Sequence, residues 1–177
     1  MSMSQTISKT YLEEQKKLHQ LKNYGVASLQ HVETIKNLLI RTKIKSLSDY
    51  GAGKKNLEIG LKNAGYTNFT YLPYDPVFPE YGEPHQAELV CCIDVMEHIE
   101  EEFVENVLND LKNITLKLCY FSIASIPAAK TLSDGRNAHL IQKPARWWLP
   151  KLCERFNIEF LQTNPSGFIV LCKALKN

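Results

Sequence analysis

Lys45-Ser-Leu-Ser-Asp-Tyr50 runs directly into Gly51-Ala-Gly53 and then into Lys-Lys-Asn-Leu-Glu-Ile-Gly-Leu-Lys-Asn63. The first six residues alternate in polarity, which is the pattern of a strand. The two glycines allow a sharp turn and a close approach of backbone to a ligand. Beyond them Leu57 and Leu61 recur at four. A helix over about 55–63 is predicted, with Gly65 just past its end.

Working outward, Leu29, Val32, Ile35, Leu38 and Leu39 predict an amphipathic helix over 28–41 with Ser28 as N-cap. Residues 8–22 read as a helix that is mostly exposed or lies across something, broken at Asn23-Tyr-Gly25. Downstream, 68–74 reads as a strand ending at Asp75-Pro76. Glu88-Leu-Val-Cys-Cys-Ile93 is the near-continuous apolar run of a parallel strand buried on both faces. Residues 100–115 form a strong helix, with Phe103, Val104, Val107, Leu108, Leu111 and Ile114 on one stripe. Residues 118–124 form another buried strand. A long loop, 125–143, precedes a helix over 144–156 interrupted at Pro150. Two strands, 158–163 and 167–174, are joined by Asn164-Pro-Ser166, a reversal that implies antiparallel pairing.

Strands alternating with helices give an α/β open sheet with helices on both faces. Such sheets bind ligands beyond the carboxyl ends of their strands. The positions of interest are therefore Asp49–Gly53, Asp75-Pro76, Asp94–His98 and Ser125–Lys143. A dinucleotide fingerprint would need glycine at 56, where Asn56 stands, and Asp49 would put a carboxylate beside a pyrophosphate. No Gly-Lys-Ser/Thr completes a phosphate-binding P-loop. An acid on this turn suits a cationic or zwitterionic ligand. Asp75, 22 positions beyond Gly53, is placed to accept hydrogen bonds from a ribose diol. Together these acids describe a nucleoside carrying a positive group, which are the features of S-adenosylmethionine.

At this point the chain resembles the class I S-adenosylmethionine-dependent methyltransferases. Asp49-Tyr-Gly-Ala-Gly53 matches the family's D/E-x-G-x-G motif, and Tyr74-Asp-Pro76 its acidic second-strand end. Ala87-Glu-Leu-Val-Cys-Cys-Ile-Asp-Val-Met-Glu-His-Ile99 is similar to the run that closes its fourth strand. More narrowly, Gly135-Arg-Asn-Ala-His-Leu-Ile141 with Trp147-Trp148, and upstream His19 and Tyr24-Gly25, resemble a small stand-alone bacterial and phage subgroup. The resemblance covers about residues 45–174 and implies a Rossmann-like domain over 45–177, capped by an N-terminal helical lid over 1–44. A third family glycine would fall at Lys55. Only Pro76–Gln86 separates the second strand end from the next strand, too short for a crossover helix and another strand. A sheet of about six strands is expected, mostly parallel with an antiparallel last strand and the third strand missing. Its order would be 2-1-4-5-7-6 in the family's numbering, with adenine under the 76–87 loop.

The resemblance implies S-adenosyl-L-methionine as cofactor, held by Tyr24, Asp49, Gly51, Ala52, Gly53, Asp75, Pro76, Asp94, Val95, Met96 and His98. Methyl transfer chiefly needs alignment of donor and acceptor, and a base only where the acceptor keeps its proton near neutral pH. His139 and His98 are the candidate catalytic bases. His19, Arg136, His139, Lys143 and Trp148 are candidates for holding an unidentified small or polar acceptor, Arg136 and Lys143 through a phosphate or carboxylate on it. The histidines are scattered and lack ligand spacing, so no metal site is expected. The rival reading is a non-catalytic module that binds S-adenosylmethionine or S-adenosylhomocysteine and acts through a partner.

The 177 residues suit one domain with a real core, and 44% hydrophobic with 23% charged residues excludes wholesale disorder. No apolar run approaches a membrane span and no export signal opens the chain, so a cytoplasmic location is expected. The five cysteines (91, 92, 119, 153, 172) form no C-x-x-C pair and read as reduced thiols, with Cys91 and Cys92 on opposite faces of a strand. Charge is segregated under a formal net of +2: residues 63–111 carry eleven acids and no Lys or Arg, flanked by basic stretches. Basic flanks would attract an anionic acceptor. Nucleic acid is not indicated, since aromatic and basic residues are not interleaved. An uncovered edge strand leaves room for an oligomer.

Overall fold

The computed structural model describes residues 5–175. The strands are β1 (Ser46–Tyr50), β2 (Thr70–Tyr74), β3 (Ala87–Ile93), β4 (Thr115–Ala124), β5 (Phe156–Asn164) and β6 (Gly167–Ala174). The helices are α1 (Lys9–His19), α2 (Val32–Thr42), α3 (Asn56–Asn63), α4 (Val104–Ile114) and α5 (Ala145–Cys153). The strands form one sheet in the order β2-β1-β3-β4-β6-β5. β2, β1, β3 and β4 run parallel, and β6 is antiparallel to both its neighbours. The expected trimmed sheet is thus the one observed. The chain between β2 and β3 carries a single short 3₁₀ turn, Pro79–Tyr81, and no strand.

Hydrophobic burial on both faces holds the sheet. Leu89 and Cys91 of β3 pack with Leu47, Ile35 and Leu39 of α2, and Leu57 and Leu61 of α3. Val90 and Cys92 face Val107, Leu108 and Leu111 of α4 and Trp148 and Leu152 of α5. Period-two strands thereby feed two layers, as the near-continuous apolar run requires. α2 is a structural layer of the sheet, so only residues 5–31 remain to cover the strand ends. A smaller cluster of Tyr11, Leu18, Leu132 and Ala138 ties α1 to the long loop after β4.

Three local expectations are corrected. Ser28 is not an N-cap: it falls inside a 3₁₀ turn, Ala27–His31, and α2 starts at Val32 with no side-chain cap. Val32 packs onto Gly60, where an added Cβ would meet its Cγ2 at 2.4 Å, so the helix is placed by contact with α3. α5 also runs through Pro150 without the expected interruption. The missing N–H removes one helical hydrogen bond, but Trp148 and Leu152 on either side are fully buried and hold the turn. The helix ends early, at Cys153, because Phe156 already opens β5 and packs on Phe121 with ring centroids 5.6 Å apart.

Candidate functional site

The parallel strands end on one cavity of about 550 Å³, within the range of small-molecule sites. One wall is the glycine turn. Gly51 (φ +83°) and Ala52 donate backbone N–H bonds to the Tyr74 carbonyl at 2.8 and 2.9 Å. A Cβ on Gly51 would come within 2.3 Å of Val95 Cγ2, so only glycine lets these two segments meet. Lys55, at the place of the family's third glycine, takes the left-handed conformation itself (φ +59°). Its ammonium lies 4.4 Å from the centre of the Tyr81 ring, and the Tyr81 hydroxyl donates to the Gly53 carbonyl at 2.9 Å. The turn therefore keeps its shape without that glycine.

Asp75 stands at the end of β2, nearly buried. Its Oδ2 accepts from Gly53 N–H and its Oδ1 from Val77 N–H, both at 2.9 Å. Burial raises its pKa, while the two amides and nearby His19 oppose the rise. Burial lowers the His19 pKa against the pull of Asp75, and His19 Nδ1 is buried with no hydrogen-bond partner. Asp49, at 3% exposure, accepts a hydrogen bond from the Tyr71 hydroxyl. Burial pushes its carboxyl up to about 7, despite that bond.

The opposite wall comes from β3 and from the loop after β4. Asp94 has φ +57° and donates its amide N–H to the Ser122 carbonyl at 2.9 Å. Glu97, fully buried, accepts from Ala124 N–H at 2.8 Å, and burial holds its carboxyl well above the usual range. This bond pins the end of β4 beside the 3₁₀ turn Met96–His98. His98 and His139 meet edge to face with ring centroids 4.8 Å apart. His98 Nδ1 bonds the Ala138 carbonyl at 2.7 Å, and His139 Nδ1 bonds the Ile126 carbonyl at 2.6 Å. Burial lowers the His98 pKa to about 4, more than nearby Asp94 raises it.

The N-terminal segment forms a further wall of the site. Tyr11, Gln15 and His19 lie on one face of α1 and line the cavity. Gln15 donates to the Tyr11 hydroxyl at 2.6 Å and accepts from the Tyr24 hydroxyl at 3.0 Å. The His19 ring packs edge-on against Tyr24 and Phe78. At the cavity's edge both Glu100 carboxylate oxygens accept from Ser8 at 2.7 and 2.8 Å, and outside it both Glu14 oxygens accept from Ser133 at 2.6 and 2.8 Å. Asn56 and Lys54 donate to the carbonyls of Gly25 and Leu21.

Most residues singled out in the sequence reach the cavity: His19, Tyr24, Asp49, Gly51, Ala52, Gly53, Asp75, Pro76, Asp94, Val95, His98 and His139. Four do not. Met96 and Trp148 are fully buried in the α4–α5 layer, where the larger apolar area draws them. Of the tryptophan pair, Trp147 is the half-buried member, and it too lies outside the cavity. Arg136 points outward and pairs with Asp134 at 2.6 Å. Lys143 is exposed and away from the cavity, so neither cation can hold an acidic group of a ligand inside it. The scatter of histidines in the sequence is also misleading, because the fold gathers Asp94, His98 and His139 so that one ligand atom of each lies within 4.8 Å of the others. Tyr11 and Gln15 were missed. Their signal was the i, i+4, i+8 spacing with His19 on one helix face.

No family model matches the chain, and no curated protein does. Solved structures do. An O-methyltransferase family protein from Burkholderia thailandensis aligns with a TM-score of 0.62 at 8% identity, over 83% of this chain. The chain spans 56% of that protein's length. The B. thailandensis 1,6-didemethyltoxoflavin-N1-methyltransferase, solved with 1,6-didemethyltoxoflavin and S-adenosylhomocysteine, aligns at 0.63 and 10% identity, over 99% of this chain and 94% of that one. A DhpI–SAH complex aligns at 0.59 and 11% identity, over 95% and 98%. At these identities the likeness concerns architecture. The six-stranded sheet, its two helical layers and its cavity at the strand ends constitute the class I methyltransferase fold.

Proposed function

We propose that this chain is an S-adenosylmethionine-dependent methyltransferase acting on a small or polar acceptor. The observation that carries this reading is one half-open cavity that sets a glycine turn and the Asp75 carboxylate opposite a pair of histidines. Each Asp75 oxygen accepts one backbone amide and keeps a second acceptor position for a ribose hydroxyl. His19 Nδ1, buried and unpartnered beside it, awaits a polar group of the ligand. Gly51, Ala52 and Gly53 would follow the cofactor's backbone, with Asp49, Asp94 and Val95 at its amino-acid end and residues 76–87 beside its adenine. When bound, the cofactor supplies a methyl group made electrophilic by a sulfonium.

The chain's own residues supply the rest. Residues 5–31 act as a cap that covers part of the site and shields the ligands from water there. A carbonyl oxygen can only accept, so the hydrogen of each neutral imidazole sits on Nδ1, and among the described residues no hydrogen bond occupies Nε2. Either Nε2 is a proton acceptor for a group placed in the cavity, His98 a weak one because burial lowers its pKa to about 4. Calorimetric titration with S-adenosylmethionine, S-adenosylhomocysteine and NAD tests the reading. Saturable binding of the first two and none of NAD is the expected result. Failure of all three to bind overturns it.

A further inference from the structure

Asp94, His98 and His139 have a property that general-base chemistry leaves unused. Asp94 follows β3 in a left-handed conformation that a non-glycine residue adopts at some cost, fixed by the hydrogen bond its N–H donates to the Ser122 carbonyl. His98 sits on the turn just after it, and His139 comes from the loop after β4. The two Nδ1–H groups are spent on backbone carbonyls of that same loop, at Ile126 and Ala138. Such bonds fix the tautomer and aim of an imidazole, and are the usual outer support of a histidine that binds metal. What remains is two imidazoles and a carboxylate, one ligand atom of each within 4.8 Å of the others. Among the described residues no hydrogen bond occupies either Nε2. The His139 amide is itself held by Asn137 Oδ1 at 2.9 Å, so the ring cannot easily swing away.

We propose that Asp94, His98 and His139 bind a divalent transition-metal ion at the floor of the cavity. Two imidazoles and one carboxylate on one side of an ion leave its remaining positions open. Here the open side is the cavity, because all three residues line it. The acceptor class that follows is an oxygen-bearing one, a hydroxyl or a pair of adjacent hydroxyls able to complete the coordination. The ion then takes over from the imidazoles the task of making that oxygen acidic. A nitrogen that ligates cannot also accept a proton, so the ion and the histidine base are alternatives. The acceptor class rests on the methyltransferase reading, whereas ion binding stands without it.

The test is titration of chelator-treated full-length protein with cobalt(II), followed by visible d–d absorption, with zinc(II), manganese(II) and magnesium(II) compared by calorimetry. Saturation at about one equivalent of cobalt with the band intensity of a nitrogen-containing site is expected. His139→Ala and Asp94→Asn should each weaken binding about tenfold or more, while His85→Ala, at an exposed histidine away from the cavity, should leave it unchanged. Absence of the cobalt band in the wild-type protein overturns the proposal, whatever the variants do. So does equal binding by wild type and His139→Ala. Calorimetry with S-adenosylmethionine on the same metal-free protein separates the two readings. Cofactor binding without cobalt binding sinks the ion alone, and cobalt binding without cofactor binding sinks the methyltransferase reading alone.

Discussion

Replacing Asp49 by asparagine should change the slope of stability with pH more than stability itself. The carboxyl is fully buried at the end of β1, and burial raises its pKa from the ordinary 3.8 to about 7. An unfolded chain loses that proton near pH 4, while the folded chain keeps it until about pH 7. Over this window the native state binds the extra proton, so its stability falls as pH rises and levels off above about 7. Each pH unit inside the window is worth about 1.4 kcal/mol, so the full fall is about 4 kcal/mol, and about 3 kcal/mol lies between about pH 5 and pH 8. The substituted side chain would not titrate, yet its amide oxygen still accepts from the Tyr71 hydroxyl. The gap in unfolding free energy, variant minus wild type, should therefore climb by about 3 kcal/mol between those pH values. Urea unfolding of both proteins at each pH measures it. Other titrating groups are common to the two and cancel in the difference. Parallel pH profiles would refute the burial argument for Asp49.

Asp75→Ala should weaken S-adenosylmethionine binding by about 1.5–3 kcal/mol, as the loss of hydrogen bonds to a charged acceptor predicts. An unchanged dissociation constant in a folded variant would remove Asp75 from the ribose site. Gly51→Ala places a methyl 2.3 Å from Val95 Cγ2 at a φ of +83°, so thermal melting should show a loss of at least about 1–2 kcal/mol. Adding Val95→Ala should restore the contact share of that loss and leave the backbone share. A melt as stable as wild type would mean that the turn tolerates a side chain. Glu14→Ala removes both bonds to Ser133, and hydrogen exchange in α1 should accelerate while the amides of β3 and β4 stay protected. Uniform exchange across α1 and the sheet would instead mean that the cap is no separate unit.

The sheet was legible because its signals are local and redundant. The apolar run of β3, the stripe of α4 and the Asn164–Ser166 reversal each state one element, and the short 76–86 segment states what the sheet lacks. The glycine turn and Asp75 could be placed at the strand ends because α/β order fixes where those ends lie. Side-chain direction was harder to read. Trp147 and Trp148 are neighbours in sequence, and only packing decides which is swallowed; the deep layer of Phe121, Phe156 and Leu152 takes Trp148. Arg136 found a partner two residues away in Asp134, which loop composition does not announce. The meeting of His98 with His139 depends on a 41-residue detour and on two backbone carbonyls, neither of which has a sequence signature.

The ties that hold the cap have a kinetic consequence. Ser8 reaches Glu100 across 92 positions, and Ser133 reaches Glu14 across 119. Lys54 and Asn56 close loops of 33 and 31 residues onto Leu21 and Gly25. Their partners sit on turns and loops that the sheet positions, while residues 5–31 add no strand to it. Release of the cap would therefore bare a groove at the strand ends without unpairing a strand. That makes release of residues 5–31 the gentlest opening available to the folded chain. The route by which a spent ligand leaves and the first step of unfolding would then be one movement.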